Sequence, residues 1–203
     1  MSDLTSRQEE IIRAAIKIIS NLGIQNLTIR TISREIGITE GAIYNHFRSK
    51  LDILSAILDL FHDNAILLFN KINSLELSDY EKLNEYFNHL CRKIIEDKDY
   101  MKVFFSAKYY LDDTSTDKFS LIIQYHREQS LKIIEKAQLD GDIRIDISKE
   151  YISFIMYGII FTGFSRYLTI KNYDLENELT IMWNTTMNLL KQGNLIQINS
   201  DIL

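Results

Sequence analysis

The chain has no proline at all and only seven glycines among 203 residues. Proline and glycine punctuate hairpins and irregular loops, and apolar residues here recur at spacings of three and four rather than alternating. An all-α fold is therefore expected. Cysteine is almost absent too. A single residue, Cys91, excludes an intrachain disulfide and suits a reducing cytosol; it reads as a small buried apolar side chain, with no catalytic partner near it. Of four histidines, His62, His89 and His126 lack acidic or cysteine partners at metal-binding spacing, so neither a metal nor a cofactor is expected. No nucleophile with its base and no phosphate-cradling glycine loop is recognisable, which argues against an enzyme. The amino terminus has no basic region followed by an apolar run, hence no secretory signal. The longest uncharged stretch, Tyr151 to Ser165, falls short of the roughly 20 residues needed to span a membrane. It is read as a buried helix of a cytoplasmic protein without a membrane segment.

What is present is apolar mass and segregated charge. A hydrophobic content of 46% with 11% aromatic residues is ample for a buried core. The periodicity predicts about nine helices, near 6–22, 28–36, 39–46, 50–72, 79–97, 99–111, 116–139, 148–170 and 175–192. Capping boxes are expected at Ser6 with Glu9 and at Ser78 with Glu81, and helix ends at Gly23, Gly37, Gly141 and Gly193. The formal charge is −5, yet residues 1–50 carry seven cations against five acids, 7 − 5 = +2, leaving −7 for the remainder. A mildly basic head on an acidic body approaches phosphates head first.

Residues 28–50 hold the most specific pattern. Thr28 can cap a short helix whose Ile29, Ile32 and Ile36 form one apolar face, and Gly37 can end it in the left-handed conformation. Thr39 then caps a second short helix, with Ile38 placed to staple against Ile43, and Ile43 and Phe47 one turn apart on the inner side. The outer side offers Glu40, Gly41, Ala42, Tyr44 and Asn45, small or hydrogen-bonding groups where a recognition helix meets base edges. Ser49 can cap the next helix.

Tyr44-Asn45-His46-Phe47-Arg48-Ser49-Lys50 closely resembles the Tyr-x-His-Phe-x-x-Lys signature of the tetracycline-repressor (TetR) family of bacterial regulators. Ala14-Ala15, Gly23, Leu27-Thr28-Ile29-Arg30, Ile32 and Ile36-Gly37-Ile38 fit as well, so the resemblance covers roughly residues 6–60. It implies a helix-turn-helix DNA-binding domain over 1–48 and a helical effector-binding and dimerisation domain over 49–203. It further implies that Thr28, Thr39, Tyr44, His46 and Lys50 hold phosphates while Arg30, Glu40, Gly41, Ala42 and Asn45 lie near bases. Chemistry supports this division in part. Lys50 is a mobile cation, Arg30 can fork onto guanine and Asn45 can pair with adenine, whereas Glu40 either accepts from a cytosine amine or serves its own helix through the dipole.

Beyond the head, the stripe Leu51, Leu54, Leu58, Phe61, Ala65 and Leu68 marks a long helix suited to be a lever or a plain core rod. Leu175, Leu179, Met182, Thr186 and Leu189 repeat the spacing near the end of the chain, and the preceding helix is apolar around much of its circumference and holds Gly158 and Gly163. In the resembled family these two helices form a four-helix bundle with a second subunit. A homodimer interface is accordingly expected at Gly158, Leu179, Met182, Thr186 and Leu189. Residues 100–167 are crowded with aromatics interspersed with His126, Arg127 and Arg166, a composition suited to an apolar or aromatic small effector lined by some of Phe104, Tyr109, Tyr125, Phe161 and Phe164. The resulting expectation is a ligand-responsive regulator that binds a palindromic operator as a homodimer, represses, and is released by its effector. The alternative is a helical ligand-carrier or interaction protein without operator binding.

Overall fold

The computed structural model describes residues 4–107 and 113–191, and all of their regular structure is helical apart from one isolated bridge between Ile143 and Lys191. Nine α-helices occur among the described residues: α1 (Ser6–Leu22), α2 (Ile29–Ile36), α3 (Glu40–Tyr44), α4 (Lys50–Asn73), α5 (Asp79–Glu96), α6 (Lys98–Ala107), α7 (Asp113–Leu139), α8 (Lys149–Thr169) and α9 (Leu175–Leu190). A 3₁₀ turn, Ile24–Asn26, joins α1 to α2. The expected all-α fold with nine helices is what forms, with ends differing by a few residues. One cap moves: Thr5, not Ser6, closes the start of α1 by exchanging hydrogen bonds with Gln8. Thr5-x-x-Gln8 and Ser6-x-x-Glu9 are overlapping boxes, and it is Thr5 that takes the extended backbone a cap needs. The box at Ser78 forms as read, the Glu81 amide donating to Ser78 Oγ at 3.2 Å and the Ser78 amide to Glu81 Oε2 at 2.9 Å. Gly193 and Tyr109 lie outside the described residues.

By packing, the chain forms two compact units. The first comprises the chain up to Lys71 together with Glu96–His126. Here Ile11, Ile18, Ile32, Ile43, Ile53 and Ile57 share one buried core with Val103 of α6 and Ile122 of α7, and α1 packs on both α2 and α6. Ser20 of α1 donates to Asp99 of α6, and Lys118 of α7 grips Asp59 of α4 at 2.6 and 2.7 Å.

The second unit comprises Ile72–Ile95 and the chain from Arg127 onward. Trp183 of α9 stacks on Phe87 of α5 at 4.2 Å, and its ring N–H donates to Asn84 Oδ1 at 2.9 Å. Tyr86 and Tyr157 hydroxyls meet at 2.9 Å, and Ser130 and Ser153 hydroxyls at 3.2 Å, so the buried polar groups joining α5, α7 and α8 satisfy one another. Burial, together with the neighbouring Tyr157 phenol, holds the Tyr86 phenol well above its ordinary pKa. Gly163 is where α9 comes close to α8: a Cβ there would stand 2.7 Å from Leu179 Cδ2.

The stretch read as a buried helix is only half buried. On α8, Ile152, Met156, Ile159, Ile160, Gly163 and Phe164 face inward, while Tyr151, Phe154, Ile155 and Phe161 stand exposed. A helix that is apolar all round carries no periodic signal to distinguish the two faces. Among the described residues no helix is long and apolar enough to cross a membrane, and no group of three His, Cys, Asp or Glu is placed to hold a metal ion.

Candidate nucleic-acid interface

Caps set the ends of the helices in the head. Thr28 stands in extended backbone before α2; its hydroxyl accepts from the Thr31 amide at 3.0 Å while the Thr28 amide donates to Thr31 Oγ1 at 2.9 Å. Gly37 follows α2 with φ 70° and ψ 32°, the left-handed conformation that side chains disfavour, and its amide closes on Ser33 O. Thr39 caps α3 by accepting from the Ala42 amide at 3.1 Å. Past α3, His46 and Phe47 amides both donate to Ile43 O, and Ser49 caps α4 by accepting from the Asp52 amide at 3.1 Å. Asp52 in return accepts from the Arg48 amide at 2.9 Å.

Ile29, Ile32, Ile43 and Phe47 are buried on the inner side. Thr28, Arg30, Thr39, Glu40, Gly41, Tyr44 and Asn45 are exposed, and Ala42, His46 and Lys50 are half-buried. Every residue expected at the DNA surface is thus accessible. Tyr44, an aromatic, is 53% exposed, with its hydroxyl available to a phosphate. Gly41 has only Thr39 Oγ1 within 4 Å of where a Cβ would stand, so at this point the outer side of α3 is bare backbone that a base edge or phosphate can approach. Glu40 opens α3 without a hydrogen-bond or ion partner among the described residues, leaving the capping to Thr39.

The cations of residues 1–50 divide into two sets. Arg7 pairs with Glu10, Arg13 with Glu9 at 3.4 Å, and Lys17 of α1 with Glu35 of α2 at 2.5 Å. With these three of the seven removed, 7 − 3 leaves Arg30, Arg34, Arg48 and Lys50, none of which has a carboxylate partner among the described residues. A surface pair such as Arg13–Glu9 adds little stability, but it cancels charge locally. The uncancelled cations are Arg30 and Arg34 on α2, Arg48 between α3 and α4, and Lys50 at the start of α4.

Candidate effector residues separate between the units. Phe104 meets Phe61 edge-on at 5.5 Å and lies 4.9 Å from Phe119. Tyr125 meets His62 at 5.5 Å and Phe69 at 5.7 Å. These aromatics belong to the first unit, along with His126, whose pKa is pushed down to about 4 by burial first and by neighbouring His62 second, so it is neutral at physiological pH. Phe164 is buried in the second unit. Phe161, expected to line a chamber, is 59% exposed on the outer face of α8.

The interface residues divide as well. Met182 and Leu189 are exposed and Thr186 is half-buried, whereas Leu179 turns inward, 1% exposed, against Gly163. The inward row of α9 is Leu175, Leu179, Trp183, Met187 and Leu190, and the outward row adds Ile181 to Met182 and Leu189. A Cβ at Gly158 would meet nothing within 4 Å. Phe154 and Ile155, four and three residues before Gly158, and Ile181 beside Met182 are further exposed apolar residues that the sequence reading did not single out for this surface.

A model of bacterial regulatory proteins of the tetR family matches residues 11–57, the span from the core of α1 into α4. The HTH-type transcriptional repressor KstR2 of Mycolicibacterium smegmatis is 26% identical over 153 residues, 74% of this chain and 74% of its own length. The fold is similar to that of the ketosteroid transcriptional regulator KstR2 of Mycobacterium tuberculosis, with a TM-score of 0.76 and 18% identity over 93% of this chain and 97% of that one. It is also similar to FadR from Bacillus subtilis in complex with stearoyl-CoA, with a TM-score of 0.73 and 19% identity over 91% and 98%. The capped helix-turn-helix with its intact signature lies inside the span matched by the family model and is that of the TetR family of bacterial regulatory proteins, and it is followed by a helical body whose fold is similar to those of transcriptional regulators.

Proposed function

We propose that this protein represses transcription by holding a palindromic operator as a homodimer, and that a small apolar or aromatic molecule bound in the body releases it. In this reading residues 1–48 are the DNA-reading head, and 49–203 bind effector and dimerise. The carrying observation is the outer surface of α2 and α3, where phosphate-type and base-type groups are exposed together and the nearby cations are free of carboxylates. Thr28, Thr39, Tyr44, His46 and Lys50 would hold the backbone, and Arg30, Glu40, Gly41, Ala42 and Asn45 would lie at base edges.

Dimerisation is supported by the outward faces of the last two helices. Phe154, Ile155 and Phe161 on α8 and Ile181, Met182 and Leu189 on α9 form a greasy surface, with Gly158 as the point where another helix can come close. A two-fold pair of heads matches an inverted repeat whose halves lie about one helical turn apart. The repression mode and a hydrophobic effector are supported by the neighbours: one relative is a repressor, and one similar structure holds stearoyl-CoA. Within this chain, the Phe104 and Tyr125 cluster of the first unit, with neutral His126, suits such a molecule, and it shares its unit with the head.

Lys50→Ala is expected to weaken binding to all duplexes about equally and to reduce the salt slope by about one for each engaged head. Asn45→Ala should instead relax preference at particular bases, by about 1 to 3 kcal/mol if the contact is bidentate. Selection of bound sequences from a random pool, followed by titration at several salt concentrations, checks both; a Lys50→Ala protein of unchanged affinity contradicts the assignment.

Met182→Glu or Leu189→Glu should yield folded monomers in sedimentation, since both positions are exposed in the protomer and a charge there is costly only when a partner covers it. Leu179→Ala should lower protomer stability instead. A dimeric Leu189→Glu protein would put the interface elsewhere.

Effector and operator must oppose each other equally. If an effector loosens the operator a hundredfold, about 2.7 kcal/mol of coupling, a saturating operator duplex must weaken effector binding by the same factor. Titrations with and without duplex should differ accordingly, and identical curves would leave the ligand without a regulatory role.

A further inference from the structure

The signature of the head accounts for one cation, Lys50, and the reading of α2 for another, Arg30. Two more arginines share their condition. Arg34 stands exposed in the last turn of α2, four residues beyond Arg30, which places both on the same side of that helix. Its neighbour Glu35 is engaged by Lys17 from α1 at 2.5 Å. Arg48 is exposed in the short link between α3 and α4, and its backbone is fixed because its amide donates to Asp52 Oδ2 at 2.9 Å. Asp52 is itself tied into the Ser49 cap. Neither arginine has a carboxylate partner among the described residues, although every other cation of residues 1–50 outside the DNA-reading set has one.

We propose that Arg34 and Arg48 are phosphate contacts flanking the recognition helix in the chain, one at the end of α2 and one past α3, so that each head neutralises three phosphates through Arg34, Arg48 and Lys50 while Arg30 reads a base. The inference rests on the DNA-binding reading and extends it. A bland role exists for Arg34, since a cation in the last turn of a helix favours the helix dipole. That role affects folding and leaves the salt dependence of DNA binding untouched. For Arg48 no such role is available, because its backbone rather than its guanidinium makes the local bond. The carboxylates paired to Arg7, Arg13 and Lys17 serve the same division: they silence the cations of α1 and leave the field of the head concentrated beside α3.

The probe is a mixed-sequence 40-base-pair duplex, with affinity of the full chain measured across a series of salt concentrations. Arg34→Gln and Arg48→Gln should each lower the slope of log affinity against log salt by about 0.9 per engaged head, and the double variant by the sum. Arg34→Lys and Arg48→Lys should keep the slope, because a phosphate needs charge rather than a fork. Arg7→Gln, which removes a cation already paired, should leave the slope unchanged. An unchanged slope in both glutamine variants, with Lys50→Ala behaving as a phosphate contact, overturns this inference alone. A slope loss in Arg7→Gln equal to that in Arg48→Gln overturns the argument from pairing. Absence of salt-dependent binding by the unaltered protein overturns the DNA-binding reading as well.

Discussion

The burial of one continuous apolar core beneath the head is the constraint on which the rest depends. α2 and α3 are eight and five residues long, far below the length at which isolated helices persist in water. Their shape comes from Ile29, Ile32, Ile43 and Phe47 being removed from solvent against α1 and α4, each side chain contributing roughly 1.5 to 3 kcal/mol when fully buried. Caps at Thr28 and Thr39 and the left-handed turn at Gly37 only select among conformations that this burial makes available. The outer surface is therefore free to be polar and charged, since apart from the two caps little of the folding energy rests on it.

That core does not stop at the head. Ile53 and Ile57 of α4, Val103 of α6 and Ile122 of α7 belong to the same buried cluster as Ile11 and Ile32. The packing unit is therefore larger than the span the family model matches: that span ends at residue 57, while the unit runs to Lys71 and takes in Glu96–His126. Close-packed interiors do not deform continuously, so a rearrangement of the Phe104 and Phe119 pair, packed against this core, has to be accommodated by helices of the same unit. Ser20 with Asp99, and Lys118 with Asp59, tie α1 to α6 and α4 to α7 inside the same unit.

Local chemistry was legible in the sequence, and choices made over distance were not. Gly37, Thr28, Thr39 and Ser78 act on neighbours three or four residues away, so their roles could be read directly and the helices fell close to their expected places. The signature Tyr44 to Lys50 is likewise contiguous. The inward turn of Leu179 and the outward one of Phe161 were not legible because α8 and α9 are apolar on two faces, and only tertiary packing decides which row turns inward. The same holds for charge: Lys17 and Glu35 are eighteen residues apart, so the pairing that separates silent cations from free ones had no signal in the chain. Thr5 and Ser6 differ by a single position, a resolution that periodicity does not offer.

Native-state hydrogen exchange of the full chain tests the shared core most directly. Val103 lies in α6, remote in sequence from the head, and is fully buried in the common cluster. The account predicts that Val103→Ala accelerates exchange of the protected amides of α1 and α2 by the same factor as those of α6, because all three open as one cooperative unit. Exchange in α1 and α2 left unchanged while α6 loosens would mean that the head folds on its own core, and would contradict it.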